Sequence, residues 1–172
     1  MTNSLTEPRF SVSSILYPSL NSSLEGISAD VFFYGCTFNC KDCHNKELQE
    51  FKQPNTSIED FCKTVSQHGI KVITFMGGEP LQQDRFSFLQ LLSTLSQKFP
   101  QLQMNLYTGY ELEHIPQDIK SYFTAIKTGT YQASQRTAPR SFLASKNQKY
   151  YRQERIGKLV EFRLVYASGK LV

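Results

Sequence analysis

Cys36, Cys40 and Cys43 stand in one short run, Gly35-Cys36-Thr37-Phe38-Asn39-Cys40-Lys41-Asp42-Cys43-His44-Asn45. With three and then two residues between them, a short loop can turn all three sulfurs toward one centre. A metal or an iron–sulfur cluster is the natural occupant. Structural zinc sites close with four protein ligands, and ferredoxin-type clusters also take four cysteines. A local set that stops at three leaves one iron of a four-iron cubane without a protein ligand, and an open coordination position is a mark of catalysis. The alternative is a zinc knot completed by His44 or Cys62.

A second group with chemical potential is Gly77-Gly78-Glu79-Pro80. Two glycines let a ligand approach bare backbone, and Glu79 offers an acceptor for a positive group. A tight strand-to-helix turn with Pro80 near the helix start is the plainer reading. Thr108 could donate to an anionic group and Lys127 could meet one, both at expected strand ends.

The elements that would position these residues are legible in part. Asp30–Tyr34 is a compact β-favouring run, and Gly35 frees the chain to turn into the cysteine loop. Ser57 and Asp60 form a capping-box pattern, Gly69 a stop, and Ile58, Phe61, Cys62 and Val65 a helical apolar face. Cys62 is thereby assigned to the core. Lys71–Phe75 reads as a strand, and Arg85–Phe99 as a helix with Phe86, Leu89, Leu92 and Leu95 inward. Gln103–Tyr107 reads as a strand, Gln117–Ser121 as a helical piece, and Phe123–Lys127 and Leu159–Tyr166 as strands. Residues 1–29 read as an irregular arm with one short strand near Val12–Leu16. Residues 130–155 read as a basic loop region carrying Arg136, Arg140, Lys146, Lys149, Arg152 and Arg155 against Glu154.

Strand, loop, helix in repetition is the pattern of βα units with a parallel sheet, which work at the carboxyl ends of their strands. The loops at Cys36–Cys43, Gly77–Pro80, Tyr107–Tyr110 and Lys127–Gly129 should therefore share one rim. A full eight-unit barrel takes about 250 residues, more than the 172 present. The expected fold is a single α/β domain, a partial, laterally open (β/α) barrel.

Composition is that of a globular domain, with 40% hydrophobic and 20% charged residues and a rather high 13% aromatic share. No apolar run reaches the roughly 20 residues needed to span a bilayer, and the first residues lack signal-peptide character. Four cysteines, three of them clustered, do not form a secreted disulfide framework, so a reducing cytoplasm is expected. A net charge of +4 is too small to argue for nucleic acid.

The cysteine spacing followed by Gly77-Gly78-Glu79-Pro80 resembles the radical S-adenosylmethionine superfamily. Cys43-His44-Asn45, Tyr107-Thr108-Gly109-Tyr110 and Ile126-Lys127-Thr128-Gly129 resemble, within it, the activating proteins of anaerobic ribonucleoside-triphosphate reductase. The resemblance implies a 4Fe-4S cluster on Cys36, Cys40 and Cys43, with S-adenosylmethionine chelated at its open iron. It further implies the Gly77–Glu79 backbone on the methionine amino group and Asp42 and His44 near the cofactor, while Thr108 and Lys127 are candidates for its anionic groups from their strand-end positions. The implied reaction is reductive cleavage to a 5′-deoxyadenosyl radical that takes hydrogen from a glycine of the reductase catalytic subunit, with a reducing donor such as flavodoxin and no membrane or nucleic acid. A small-molecule radical enzyme of the 7-carboxy-7-deazaguanine synthase kind and a non-catalytic zinc module are the alternatives. Asp42 departs from the resemblance, standing where many relatives carry an aromatic residue or Gly, and Leu24–Ala29 lacks the relatives' Arg.

Overall fold

Phenylalanine accounts for much of the aromatic share, and its placement organises the sheet. Phe33, Phe75, Phe88 and Phe123 are essentially fully buried, as are Phe10 and Phe61. Their rings meet largely edge to face, as Phe33 and Phe75 both do against Phe88 at 6.2 and 5.8 Å. Each such ring removed from water contributes about 1.5–3 kcal/mol, with a further increment from the ring pairs.

The computed structural model describes residues 7–138, 141–156, 159–168 and 170–171. The first six residues and Arg140 lie outside them. In chain order the elements are β1 (Arg9–Phe10), β2 (Val12–Ser19), β3 (Ser28–Phe33), β4 (Thr56–Ser57), α1 (Ile58–His68), β5 (Val72–Gly77), α2 (Arg85–Lys98), β6 (Gln103–Tyr107), α3 (Gln117–Lys120), β7 (Ala125–Thr128), β8 (Lys149–Ile156), β9 (Leu159–Ala167) and β10 (Lys170–Leu171).

Among the described residues one eight-stranded sheet runs β10-β9-β8-β7-β6-β5-β3-β2. Its centre, β3-β5-β6-β7, is parallel. The outer pairs, β2 with β3 and β7 with β8 and β9, are antiparallel. The fold is thus a parallel βα centre extended at both flanks by antiparallel strands, matching the expected partial, open barrel.

Local signals explain the helices. Ser57 accepts from the Asp60 amide at 3.1 Å while the Ser57 amide donates to Asp60 at 2.9 Å, and Gly69 ends α1 at φ 59°. In α2 the buried stripe is Phe88, Leu91, Leu92 and Leu95, whereas Phe86 is 77% exposed. The stripe follows i, i+3, i+4, i+7 from Phe88, so Phe86 falls on the outer face.

The strand expected near Val12–Leu16 is present and runs on to Ser19, eight residues on the sheet edge, with Ile15 opposite Val31 and Leu16 opposite Asp30. One expectation is corrected: the basic region is not all loop, because Lys149–Ile156 is a strand paired to β7. Neither strand alternates cleanly, because the inner face they help build mixes polar side chains, such as Ser14 and Arg152, with aromatic ones, such as Phe32 and Tyr150.

Alternate residues divide the sheet's two faces. Ala29, Val31, Phe33, Ile73, Phe75, Met104, Leu106 and Ile126 join the helices in the main core. The opposite, inner face carries two cross-strand rows. One follows the registers Ser14–Phe32–Met76 and Tyr107–Lys127–Tyr150–Tyr166. The row beneath it is polar, with Asp30, Thr74, Asn105 and Arg152.

The segment between β2 and β3 fills that polar row. Ser22 donates to Asp30, the Tyr107 hydroxyl donates to the Ser22 carbonyl at 2.5 Å, and Asn105 donates to Ser23 and Glu25 at 3.0 and 3.1 Å. Glu25, its side chain 5% exposed, also accepts from the Tyr150 hydroxyl at 2.5 Å and pairs with Arg152 at 3.0 Å. Residues more than a hundred positions apart are thereby tied through one carboxylate.

Glu25→Ala leaves Arg152, Tyr150 and Asn105 short of an acceptor; allowing for the partly exposed Arg152, it should cost about 2 kcal/mol. Urea unfolding of the two proteins measures this, and a difference under about 0.5 kcal/mol, the level of an ordinary surface change, would contradict it.

Candidate active site

All four suspicious loops follow the carboxyl ends of β3, β5, β6 and β7, and they surround one cavity of about 180 Å³. Its wall includes all three clustered thiols, Cys36, Cys40 and Cys43. The cysteine loop leaves β3 through Gly35, whose amide donates to the Leu48 carbonyl at 2.8 Å, and the Cys36 amide donates to Gln49 at 3.0 Å. Left-handed conformations at Asn39 and Asp42, φ 47° and 57°, curl the chain between the cysteines.

The loop is gripped from a second side. Gln82 accepts from the Thr37 amide at 2.8 Å and donates to the Thr37 hydroxyl at 2.9 Å. The Phe38 ring stacks edge-on against Tyr110 at 4.8 Å and lies where a side chain on Gly109 would go.

Gly77 and Gly78 press backbone on backbone. Gly77 has φ 105°, and a Cβ on it would sit 2.6 Å from the Phe33 nitrogen; one on Gly78 would sit 2.5 Å from the Gly35 carbonyl oxygen. The Gly78 amide donates to Phe33 and the Glu79 amide to Gly35, each at 2.8 Å. An ammonium donates, so in this turn it could meet only carbonyl oxygens, and that of Glu79 already accepts from the Gln82 amide at 3.1 Å.

Glu79 is 1% exposed and serves as a brace. Its Oε1 accepts from the Leu81 amide at 3.0 Å and the Thr108 hydroxyl at 2.8 Å, and its Oε2 from the Gly109 amide at 2.8 Å. Burial pushes its pKa up to about 7, against the opposing pull of the Gly109, Leu81 and Thr108 donors. Neither Glu79 nor Thr108 is therefore free for a ligand in the way the sequence suggested, because each satisfies the other.

The remaining expected residues divide. His44 lines the cavity, its ring 4.6 Å from that of Tyr131. Lys127 lines it too, with Nζ 3.8 Å from the Tyr107 ring centroid and 6.0 Å from that of Phe142. Burial lowers the Lys127 pKa to about 8, and among the described residues no carboxylate pairs with it. Asp42 is exposed and absent from the cavity wall, since the left-handed turn there carries it outward. Cys62 is in the helix core, 7% exposed, where it cannot complete a knot.

Tyr131 and Gln148 also line the cavity. No motif marked them, because they come from the segment after β7, where periodicity is lost.

The donor set fits a 4Fe-4S cluster. Burial pushes the Cys36 and Cys40 thiols up, while backbone amides of Phe38 and Tyr131 pull them down by hydrogen bonding to the sulfurs. Amide donors to sulfur are what a cluster's thiolate ligands use to tune potential. Among the described residues no three His, Cys, Asp or Glu side chains form a group that could hold a single metal ion.

Comparison with known proteins agrees. Residues 24–151 match the family described as 4Fe-4S single cluster domain. The chain is 27% identical over 123 residues to an anaerobic ribonucleoside-triphosphate reductase-activating protein of Enterobacteria phage T4, covering 68% of this chain and 79% of that one. It is 24% identical over 151 residues to a protein of the same name from Pasteurella multocida (strain Pm70), covering 79% and 94%. A crystal structure of QueE from Escherichia coli superposes with TM-score 0.52 at 13% identity over 73% of each chain, a likeness of fold.

The brace carries a pH signature. Glu79 titrates near 4.5 when unfolded and at about 7 when folded, so the folded state holds its proton longer and stability falls as pH rises between those values. The stability difference between wild type and Glu79→Gln should shrink by about 2 kcal/mol from about pH 5 to about pH 7. Denaturant titrations at those two values test it, and a pH-independent difference contradicts it.

Proposed function

The chain belongs to the 4Fe-4S single cluster domain family, and from that premise we propose that it is a radical S-adenosylmethionine enzyme that activates the catalytic subunit of an anaerobic ribonucleotide reductase by installing a glycyl radical. The observation that carries this reading is the cavity at the strand ends, where Cys36, Cys40 and Cys43 share one wall with the Gly77-Gly78 backbone.

Cys36, Cys40 and Cys43 would hold the cluster. Bound there, the cluster supplies the electron that cleaves S-adenosylmethionine reductively. This chain's own residues bind and orient. Carbonyl oxygens of the Gly77–Glu79 turn would accept from the methionine amino group. Lys127, a cation held against aromatic rings without an anionic partner, offers charge to the cofactor's carboxylate or a ribose oxygen. His44 and Tyr131 present a paired aromatic surface for a flat, electron-poor group. Met76 and Tyr107 supply an apolar floor that keeps water from a reactive carbon species.

The activase reading over other radical chemistries draws support from the two named relatives, each covered over most of its length. The partner would be the reductase catalytic subunit, and a low-potential donor of the flavodoxin kind would supply the electron. Among the described residues no helix is long and apolar enough to cross a membrane.

The reconstituted, reduced protein should form 5′-deoxyadenosine and leave a glycyl-radical signal in electron paramagnetic resonance on the reductase. Alanine at any one of Cys36, Cys40 or Cys43 should abolish both. Lys127→Met should raise the half-saturating S-adenosylmethionine concentration about tenfold or more, a loss of ~1.4 kcal/mol. Turnover by a cysteine variant, or an unchanged Lys127→Met, would contradict these assignments.

A further inference from the structure

The two directions leading away from the cavity along the inner face differ. Toward β8 and β9 the way is filled. Phe142 lies on the inner row, its ring 6.3 Å from Tyr107, 4.9 Å from Tyr150 and 5.9 Å from Tyr166. Its neighbour Leu143 is fully buried. Gln148 fixes that segment, donating to the Gly129 carbonyl at 3.0 Å and accepting from the Ala144 and Ser145 amides at 3.0 and 3.2 Å.

Toward β2 the way is open. A second cavity of about 280 Å³ lies between Ser14, Leu16 and Phe32 of the sheet and Asn45, Glu47 and Leu48 of the turn after the cysteine loop. Asn45 lines both cavities. Phe32 pairs in register with Met76, which lines the first cavity, so the two share a continuous floor. At its outer end stands β2, the last strand of the sheet, exposing Leu16 at 54% and Tyr17 at 40%.

We infer that this second cavity is the entry groove for the partner's glycine-bearing segment, which lies extended between the β2–β3 edge and residues 45–48 and delivers its glycine past Asn45 to the cofactor. The inference rests on the activase reading above. A segment abstracted at a backbone carbon must reach the cofactor in extended form, because a helix or a packed strand would bury the target hydrogen. The groove suits such a chain: Leu16 and Phe32 give apolar contact to its side chains, while the Ser14 hydroxyl and Asn45 carboxamide can bond its peptide groups. Phe32 and Met76, neighbours in register, carry the floor from the docking groove toward the reaction, with Asn45 bordering both cavities. Phe142 fills the inner face on the opposite side.

Two measurements on the cluster-loaded full chain test it. Leu16→Arg places a charge in the groove away from the thiols and should raise the half-saturating reductase concentration about tenfold or more, with maximal radical yield at saturating reductase and iron content near wild type. Photo-reactive p-benzoylphenylalanine at position 16 should crosslink to the peptide that contains the radical glycine, whereas the same group at position 171, on the opposite sheet edge, should not. An unchanged half-saturating concentration, or crosslinks to that peptide from position 171 instead of 16, overturns the groove assignment while wild type still radicalises the reductase. Wild type that cleaves S-adenosylmethionine but leaves no radical on the reductase overturns the activase reading itself and the groove with it.

Discussion

The site depends on two loops pressed together main chain to main chain. Where β3 and β5 end, Gly78 meets Gly35, and Gly77 meets Phe32 and Phe33, at distances that leave no room for a side chain. Two amides then donate across the seam at 2.8 Å, from Gly78 to Phe33 and from Glu79 to Gly35. A contact of this kind cannot be replaced by side-chain packing, because any Cβ would drive the strands apart. It sets the separation of the cysteine loop from the turn beside it, and so fixes where a cofactor held by both must lie.

From that seam the remaining supports radiate. Glu79 extends it to β6 through Thr108 and Gly109, Gly109 makes space for Phe38, and Phe38 returns to the cysteine loop. The loop is thus tied to three successive strand ends by the protein alone. An apolar, aromatic outer core under α1 and α2 makes the scaffold rigid, while the inner face carries one polar row that receives the Glu25 segment. The division follows from strand alternation: one face supplies folding energy, which frees the other to hold charged and hydroxyl groups that a site needs.

Much of this was legible in the residues. Ser57, Asp60 and Gly69 announced α1 because capping acts over a few positions, and Gln103–Tyr107 alternated as a strand does. The cysteine spacing disclosed the centre without help from the fold. What stayed hidden depends on distant partners. Lys149–Ile156 looked like basic loop because its inward residues are Tyr150, which packs on Phe142 as well as bonding Glu25, and Arg152, which pairs with Glu25, so no apolar alternation marks the strand. Phe86 looked like core because helical spacing allows two overlapping stripes, and only the packed sheet selects the one from Phe88. Glu79 and Thr108 looked like ligand groups because neither reveals in sequence that the other will occupy it. Asp42 was carried outward by a backbone turn that no pattern of side chains foretold.

The central claim is that the three thiols leave one metal corner free for the methionine end of S-adenosylmethionine. Electron–nuclear double resonance on the reduced, cluster-loaded protein, with the cofactor isotopically labelled at its amino nitrogen, reads this directly. The account predicts a nitrogen coupling that appears on cofactor addition and is lost when Cys36, Cys40 or Cys43 is replaced by alanine. A reduced cluster whose spectrum is untouched by the cofactor, or a colourless protein carrying one zinc and no iron, would contradict it.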